Sequence, residues 1–449
     1  MPEAVRYFLD PFGCVKNQVD AENMMFHLAG AGWDAVPDAE AADLIIVNSC
    51  GFIESAKQES INAVLEWRRL FPKKKILLAG CLAQRYAKEL AESLPEADAF
   101  FGIEDISKIV DTAALLGDKP GGNAARPSAR GSSASRPLLS LPGSAYVKIS
   151  EGCDNRCSFC AIPLIRGGLV CRAVPDILEE CQGLLARGIK ELCVIGQDIG
   201  SYRSGGSGLP ELLAAISALP GNFWVRLLYM HPDNFPLPIL DVMEKDSRIL
   251  PYFDIPFQHA SPKILPAMNR RGTAETYLAL IETIRRRLPR AVIRSTFLLG
   301  FPGENEQDFS ALLDFQEKAR LDWLGCFCYS REEDTPAWSM PGQVPKKTAT
   351  RRKRIIEERQ IPITEQNMDR FVGQPFDALV EERFESGAAE SGGDFWLGRL
   401  YCQAPDIDGA AVISGGSSLT PGEFIPCKII ARRGFDLEAL PETAADNRG

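Results

Sequence analysis

Three cysteines lie close together near the middle of the chain, at Cys153, Cys157 and Cys160. Their C-x₃-C-x₂-C spacing places three thiolates within eight residues, directly after the apolar alternating stretch 145–149. A loop this short can wrap three corners of a four-iron cube and leave the fourth iron open to a substrate or cofactor. The spacing therefore predicts an iron–sulfur cluster.

A zinc loop would also account for these thiols, and so would three unrelated cysteines buried as small apolar residues. Zinc loops favour C-x₂-C pairs with a fourth ligand nearby, and the sequence offers no such ligand close to Cys160. Both possibilities stay open at this point, but an iron–sulfur cluster is the favoured interpretation.

A second set of thiols is spread over the first hundred residues, at Cys14, Cys50 and Cys81. Each follows a strand-like run, and the runs alternate with helical patterns (strands at 5–9, 43–47 and 75–79, helices at 20–30, 54–70 and 83–94). This alternation predicts a parallel sheet covered by helices on both faces. Ligands bind beyond the carboxyl ends of such strands. One such thiol alone suits packing, but three at equivalent strand ends predict a second cluster.

The length and composition of the chain indicate what kind of protein carries these two sites. A chain of 449 residues is expected to form two or three domains. It has no run of eighteen apolar residues and no signal peptide at its start, which predicts a cytoplasmic protein that does not enter a membrane. Thirteen cysteines in such a protein indicate metal ligands and buried thiols, not disulfides. The net charge of −10 argues against a large nucleic-acid footprint and suits a basic partner.

Residues 144–345 again alternate strand and helix patterns. Strands are expected at 145–149, 191–195, 224–229, 252–255, 292–298 and 324–329, with helices between them at 175–187, 209–219, 274–288 and 306–320. Six such units predict a partial (β/α)6 barrel of the TIM type, with its site at the carboxyl ends of the strands.

Polar residues gather at those predicted strand ends. They are Gln197 and Asp198, His231, Gln258 and His259, the segment Gly300–Glu304, and Tyr329 with Ser330. Two of the three histidines in the chain are among them. The backbone N–H groups of Gly300–Glu304, between a strand and a helix, are expected to meet a polar or anionic ligand. Arg294 and Thr296 are expected to face inward from the preceding strand.

The C-terminal part has a charged helical stretch at 346–370 and then short strands. Strands at 375–382, 395–401, 410–413 and 424–431, separated by glycine-rich turns, predict a small barrel of the oligonucleotide-binding sort. Residues 371–434 hold nine acids and five bases, a net charge of −4. An RNA-binding domain should be basic, so this barrel better suits a basic protein.

Several of these features resemble known families. The cysteine spacing with Phe159 before the last thiol resembles the radical S-adenosylmethionine (SAM) enzymes, and Gly300-Phe-Pro-Gly-Glu304 resembles their SAM-binding strand. Longer strings resemble the methylthiotransferase family: Gly13–Glu22, Val47–Ile53, Ala79–Gln84, Lys148–Pro163, His231–Phe235, Asp254–His259, Met268–Arg270 and Tyr329–Pro336. The resemblance covers most of the chain. It departs at Gly167–Arg172, which lacks the usual basic pattern and puts any basic contact from that segment in doubt.

The resemblance implies a domain order. It implies an N-terminal methylthiotransferase domain at 1–116, a linker at 117–143, a radical SAM barrel at 144–345, a connecting helix at 346–370, a TRAM domain at 371–435 and a tail at 436–449. Asn17 and Asn48 would support the cysteine loops or serve as ordinary turn residues. The seven remaining cysteines are expected to be packing residues: Cys171, Cys181, Cys193, Cys326, Cys328, Cys402 and Cys427.

The resemblance also implies cofactors and chemistry. Cys153, Cys157 and Cys160 would bind a [4Fe-4S] cluster that uses SAM to form a 5′-deoxyadenosyl radical, and Cys14, Cys50 and Cys81 would bind an auxiliary [4Fe-4S] cluster that handles sulfur. Such chemistry needs no side chain as acid or base, and none is assigned, because the cofactor supplies the difficult step. The candidates for binding SAM are Gln197, His231, Gln258, Arg294, Gly300 and Glu304.

The segments Gly398–Gly409 and Cys14–Asp20 resemble the branch of the family that modifies a ribosomal protein. This implies a methylthio group added to the β-carbon of an aspartate in the twelfth protein of the small ribosomal subunit, a basic substrate. A monomer that receives single electrons from flavodoxin or ferredoxin is expected. The alternatives are a tRNA adenosine methylthiotransferase and a redox-sensing or scaffold protein with two clusters and no turnover.

Overall fold

The computed structural model describes residues 5–116, 132–384, 395–415 and 419–442. The chain divides into two compact units. The first unit comprises Met1–Leu139, Ser150–Gly183 and Ser330–Trp338, and the second comprises Ser140–Ile149, Leu184–Tyr329 and Ser339–Gly449. All six cysteines predicted to bind clusters therefore belong to the first unit.

The first unit is built on a five-stranded parallel sheet. Its strands, in spatial order, are Asp34–Ala35, Arg6–Pro11, Leu44–Ser49, Lys75–Gly80 and Ala99–Phe101. The central strand Leu44–Ser49 is buried along its whole length, as expected where helices cover both faces of a parallel sheet. The two short edge strands, of two and three residues, were not predicted from the sequence.

Four helices cover the two faces of this sheet: Val15–Gly30, Glu54–Leu70, Cys81–Ser93 and Ile109–Leu116. Alternate residues of the central strand enter two separate cores. Ile46 packs with Met24 and Leu28 of the first helix, whereas Ile45 packs with Val64 and Leu90 on the opposite face. The sheet is therefore clamped from both sides, which fixes the positions of the loops at its carboxyl edge.

The remaining described elements of the first unit are one pair of short strands, three helices and three 3₁₀ turns. The strands Ser150–Glu151 and Val170–Cys171 pair antiparallel. The helices are Ser132–Ser135, Ile162–Arg166 and Val174–Ala186, and the last of them continues past the boundary between the units. The 3₁₀ turns are Ala39–Ala41, Ile106–Lys108 and Pro336–Ser339. Residues 117–131 of the predicted linker lie outside the described residues. Its second half is anchored by Arg136, which is fully buried and paired with Glu22 and Glu180.

The second unit contains a six-stranded parallel sheet whose strands follow chain order. They are Ser144–Lys148, Glu191–Ile195, Trp224–Leu227, Ile249–Asp254, Val292–Leu299 and Trp323–Cys328. Its helices are Leu209–Ser217, Ile239–Met243, Ile264–Ala267, Ala274–Arg287 and Glu306–Ala319, with 3₁₀ turns at Ile199–Ser201 and Pro232–Asn234 and a hairpin of Arg203–Ser204 with Ser207–Gly208. This is the predicted partial barrel.

A long helix, Lys346–Asp369, leads from the six-stranded sheet to a closed five-stranded barrel. The strands of this C-terminal barrel are Pro375–Phe384, Phe395–Arg399, Ala411–Ser414, Phe424–Arg433 and Asp436–Pro441. The small β-barrel predicted from the turns is confirmed. No helix of the described residues is long and apolar enough to cross a membrane.

The last strand corrects the predicted domain end at 435, because Asp436–Pro441 pairs with two neighbouring strands and closes the barrel. A two-residue loop joins Arg433 to Asp436, and Gly434 adopts the positive φ (62°) that such tight hairpins need. Leu437 and Ala439 of this strand are fully buried. The strand is short and has a single charged residue, Glu438, between these two positions, so its apolar alternation was not recognised in the sequence.

Candidate functional site

The first cysteine trio lies at the ends of three neighbouring strands in the first unit. Cys14 follows Arg6–Pro11, Cys50 follows Leu44–Ser49, and Cys81 begins the helix after Lys75–Gly80. Because these strands are adjacent and parallel, the three thiols share one edge of the sheet, as predicted.

Two glycines allow the cysteine loops to approach each other closely. A Cβ on Gly13 would lie 3.1 Å from Cβ of Cys50. A Cβ on Gly51 would lie 2.6 Å from the carbonyl oxygen of Cys81, which is a clash with backbone. The absence of a side chain at these positions therefore brings the loops of all three cysteines together.

Two buried asparagines fasten these loops. Asn17 Nδ2 donates to the carbonyl oxygens of Phe12 at 2.6 Å and Ser49 at 3.1 Å. Asn48 Nδ2 donates to the carbonyl oxygen of Asn17 at 2.9 Å. Both asparagines are almost entirely buried, so they are not ordinary surface turn residues but supports of the cysteine loops.

The three thiols have different electrostatic surroundings. Burial raises the pKa of Cys81 to about 12. The positive charge of Arg166 opposes this rise, whereas negative charge on Cys14 and Cys50 adds to it. Burial raises the pKa of Cys50 as well. The pKa of Cys14 is lowered: desolvation by nearby protein atoms raises it, but the charges of Lys16 and Arg166 and backbone N–H donors outweigh that effect. Thiols must lose their protons to bind iron.

The second trio lies on a loop stabilised by its own backbone. The N–H of Cys153 donates to the carbonyl oxygen of Gly167 at 3.1 Å, and the N–H of Cys160 donates to that of Cys157 at 3.0 Å. Asn155 Nδ2 lies 3.4 Å from Sγ of Cys153. Cys157 is buried, whereas Cys153 and Cys160 are partly exposed.

The donor chemistry of both trios suits iron–sulfur clusters. Among the described residues, no group of three or more His, Cys, Asp and Glu side chains is arranged around one metal ion. Each trio consists of sulfur alone, which is the ligand set of iron–sulfur clusters.

An arginine connects the two cysteine loops. Arg166, at the end of the helix that follows Cys160, donates to Sγ of Cys81 at 3.0 Å, to Asp20 at 2.8 Å and to Glu151 at 2.9 Å. Ile165 of the same helix packs on Cys81. Arg166 lies one residue before the divergent segment 167–172, so this contact does not come from the segment whose basic contacts the sequence put in doubt.

A second ionic contact in the first unit involves Glu332 of the string Tyr329–Pro336. This buried carboxylate accepts hydrogen bonds from Lys57 at 3.1 Å, Arg85 at 2.8 Å and Ser330 at 2.6 Å. It thereby attaches segment 330–338 to the helices Glu54–Leu70 and Cys81–Ser93.

In the second unit, Asp198 joins two of the predicted strand ends. Its carboxylate accepts the backbone N–H of His231 at 3.0 Å and the side-chain amide of Asn234 at 2.9 Å. Burial, with a further contribution from Arg270, lowers the pKa of His231 to about 4. His231 is therefore neutral at physiological pH. Gln197 directly precedes this cluster in the chain.

Gln258 is hydrogen-bonded through its backbone to the strand Val292–Leu299. Its backbone adopts a left-handed conformation (φ 69°), its N–H donates to Thr296, and its carbonyl accepts from Leu298. Gln258 is thus positioned by backbone hydrogen bonds at a strand end, as the sequence predicted.

The segment Gly300–Glu304 corrects one expectation. Glu304 Oε2 accepts the N–H of Gly300 at 2.6 Å and of Phe301 at 3.2 Å. The remaining N–H groups, of Gly303 and Glu304, donate to backbone carbonyls. The backbone donors that we expected to meet a ligand are therefore satisfied within the protein, and Glu304 acts as a brace for the loop. It also accepts from Arg352 at 2.7 Å.

Arg294 has carboxylate partners on two elements. Its guanidinium lies 3.2 Å from Asp254 in the neighbouring strand and 3.6 Å from Asp408 in the C-terminal barrel. Tyr252 donates to the same Asp408 at 2.6 Å. These contacts assign Arg294 to the junction of the sheet and the barrel.

Comparison with known proteins decides the family. The chain is 45% identical to the ribosomal protein uS12 methylthiotransferase RimO of Treponema denticola, over 96% of this chain and 100% of that protein. The proteins of the same name from Syntrophomonas wolfei and Aquifex aeolicus are 40% and 36% identical, over 95% and 97% of this chain and 97% and 96% of theirs. The chain belongs to the RimO family of methylthiotransferases.

Three sequence families match successive parts of this RimO-family chain. Residues 6–102 match the uncharacterized protein family UPF0004, residues 147–315 the radical SAM superfamily, and residues 372–441 the TRAM domain. The last match includes the strand that closes the barrel.

Solved structures agree on the fold. The radical SAM methyltransferase TsrM of Kitasatospora setae, solved with tryptophan and a SAM analog, superposes with a TM-score of 0.55 at 15% identity, over 87% of this chain and 80% of that one. TsrM solved with cobalamin and a [4Fe-4S] cluster gives 0.53 at 16% identity, over 75% of this chain and 74% of that one.

Sequence analysis of this RimO-family member missed Arg166, Asp20 and Glu332. An arginine six residues after a cysteine carries no recognisable signal, and the contact with Cys81 joins residues 85 positions apart. Five of the seven cysteines assigned to packing are buried, and the other two, Cys171 and Cys328, are partly exposed.

Proposed function

We propose that this chain is a radical SAM methylthiotransferase that modifies ribosomal protein uS12, adding a methylthio group to the β-carbon of an aspartate. The observation that carries the proposal is the placement of Cys14, Cys50 and Cys81 at three adjacent strand ends. A methylthio group requires a sulfur atom in addition to the methyl group of SAM, and a cluster held by this second trio of thiols would carry that sulfur. The names of the full-length relatives support the ribosomal substrate.

Two [4Fe-4S] clusters and SAM are the cofactors of this function. We assign Cys153, Cys157 and Cys160 to the cluster that works with SAM, and Cys14, Cys50 and Cys81 to the auxiliary cluster. When bound, these groups supply one-electron chemistry, radical hydrogen abstraction, sulfur and a methyl group.

The protein's own residues hold and orient these groups. Asn17 and Asn48 fix the loops of the first trio. In the second unit, Gln197, His231, Gln258 and Gly300 remain our candidates for SAM contacts, and Glu304 acts by bracing the loop at Gly300. Arg294 is withdrawn from this set because its guanidinium faces Asp254 and Asp408.

The partners follow from charge and chemistry. A net charge of −10 suits a basic ribosomal protein as substrate. We propose a cytoplasmic monomer that receives single electrons from a flavodoxin or ferredoxin.

The function is tested with reconstituted enzyme, SAM, a reductant and either purified uS12 or a tRNA pool. We expect a mass gain of one methylthio group on a single uS12 aspartate, together with 5′-deoxyadenosine. Methylthiolated nucleoside with unmodified uS12 would reassign the substrate to tRNA. Absence of 5′-deoxyadenosine from the reduced protein would indicate a two-cluster protein without turnover. The Cys157→Ala variant serves as the inactive control.

A further inference from the structure

The side chain of Arg166 is buried and contacts two carboxylates and one thiol. Its side chain is 2% exposed, and the adjacent carboxylate of Asp20 is 1% exposed. Its Nη2 points at two acceptors, Asp20 Oδ2 at 2.8 Å and Cys81 Sγ at 3.0 Å. Its Nη1 donates to Glu151 Oε1 at 2.9 Å. The guanidinium is therefore held in one orientation with an N–H directed at sulfur.

The two carboxylates explain how a buried cation can point at a cysteine. A guanidinium is planar and presents its donors in a rigid fork, so carboxylates on two sides fix the direction of the remaining N–H group. Burial of a charge is tolerated where such partners are present. A lysine at this position would keep the charge but not the fixed direction.

Arg166 also lies close in the chain to the second cysteine trio. Cys81 belongs to the auxiliary trio, whereas Glu151 lies two residues before Cys153 and Arg166 lies six residues after Cys160. One side chain therefore links a ligand of one proposed cluster to the loop that bears the second.

We propose that Arg166 raises the reduction potential of the auxiliary cluster by donating a charge-assisted hydrogen bond to the Cys81 ligand. Hydrogen bonds to the sulfurs and net nearby charge are among the factors that set iron–sulfur potentials. A cation beside a thiolate stabilises the reduced cluster, which bears one more electron. Arg166 is a positioning residue, since it acts through Cys81. This inference rests on the proposed function only in that Cys14, Cys50 and Cys81 hold a cluster.

The test uses the full chain with Cys153, Cys157 and Cys160 changed to alanine, so that only the auxiliary cluster remains. Its midpoint potential is followed by redox titration with electron paramagnetic resonance, and iron and sulfide are counted in each sample. We expect Arg166→Gln to shift the midpoint to a more negative value. Arg166→Lys, which keeps the charge without the directed N–H, should give a smaller shift in the same direction.

Two further variants separate the hydrogen bond from its surroundings. Arg136→Gln removes a fully buried arginine that also has two carboxylate partners, Glu22 and Glu180; it should lower thermal stability and leave the midpoint unchanged. Asp20→Asn combined with Arg166→Gln removes one negative charge together with the cation, and should still shift the midpoint negatively.

The outcomes are distinguishable. An unshifted midpoint in Arg166→Gln with a full cluster overturns the inference and leaves the proposed function intact. If that variant binds no iron, the same measurement on Arg166→Lys decides. A shift in Arg136→Gln equal to that in Arg166→Gln would reduce the effect to general destabilisation and also overturn the inference. Failure of the parent protein to assemble a cluster would instead refute the proposed function.

Discussion

Nη2 of Arg399 lies 2.6 Å from Oε2 of Glu191, and this buried ion pair joins the C-terminal barrel to the six-stranded sheet. Arg226, on the strand next to Glu191, donates to the second carboxylate oxygen at 2.7 Å. Arg399 also pairs with Glu381 of its own barrel. Burial alone would raise the pKa of Glu191, but the two arginines lower it to about 2. The carboxylate therefore stays charged inside the protein.

Arg399→Met should destabilise the second unit by roughly 3–5 kcal/mol, because it leaves buried carboxylates without one of their cations. The measurement is the free energy of unfolding from urea titration. The matched control is Arg433→Met in the same barrel, whose pairing with Glu438 is largely exposed; it should cost less than about 1 kcal/mol. Equal losses in the two variants would contradict the prediction.

Asp408 should give the stability a distinctive pH dependence. Burial raises its pKa to about 6, against the opposing charge of Arg294 and the hydrogen bond from Tyr252. Because the folded state binds this proton more tightly than the unfolded state, the contribution of Asp408 to stability falls as pH rises from about 4 to 6. Asp408→Asn removes this loss.

The measurement for Asp408 is the difference in unfolding free energy between Asp408→Asn and the wild type at several pH values. This difference should increase by about 1 kcal/mol in favour of the variant between pH 5 and pH 7.5. A difference that is constant across this range would show that Asp408 titrates normally.

Iron content should separate the two cysteine trios. Wild-type protein should bind about eight irons, and Cys50→Ala and Cys157→Ala about four each, because each variant loses one four-iron cluster. Cys427→Ala, which removes a buried thiol of the C-terminal barrel, should keep the full iron content. A Cys50→Ala protein that retains all its iron would refute the auxiliary site.

Gly51→Ala should abolish the auxiliary cluster without changing any ligand. The added Cβ would lie 2.6 Å from the carbonyl oxygen and 2.7 Å from the carbonyl carbon of Cys81, and backbone atoms cannot move aside cheaply. Iron content should fall to about four per chain. Gly32→Ala is the control: no atom lies within 4 Å of its Cβ, so only the strain of a positive φ (82°) remains, and its iron content should not change.

Glu304→Gln should weaken SAM binding about tenfold, or about 1.4 kcal/mol. An amide that retains only one acceptor oxygen cannot satisfy the N–H groups of Gly300 and Phe301 together with Arg352. Equilibrium dialysis with SAM measures the effect. Glu317→Gln on the following helix, at an exposed carboxylate that pairs with Arg359, should bind SAM normally. Normal binding by Glu304→Gln itself would exclude the bracing role.

The sequence predicted those parts of the fold that repeat a pattern. The six strands of the second unit and the cysteine-bearing strand ends of the first follow from alternating apolar runs, and the structure has them within a few residues. The edge strands Asp34–Ala35 and Ala99–Phe101 are too short to form a pattern. They depend on pairing with neighbouring strands, which local sequence does not encode.

The pairing of charged and polar groups was harder to predict from the sequence than the helices and strands. The net charge of the C-terminal barrel was counted as if Glu381 and Asp408 were surface acids. Both carboxylates are in fact buried beside arginines. The N–H groups at Gly300 were expected to bind a ligand, but a glutamate four residues later satisfies them. Such outcomes depend on which side chains meet after folding, and spacing along the chain does not reveal this.

The closure of the C-terminal barrel limits how a protein substrate can be recognised there. Each of its five strands pairs on both sides, so none of these strands presents a free row of backbone donors and acceptors. A ribosomal loop cannot be captured there by adding a strand to an open edge. Any affinity of this barrel for its target must come from side chains projecting from its outer surface, and single substitutions on that surface should therefore be able to change target choice while leaving the barrel folded.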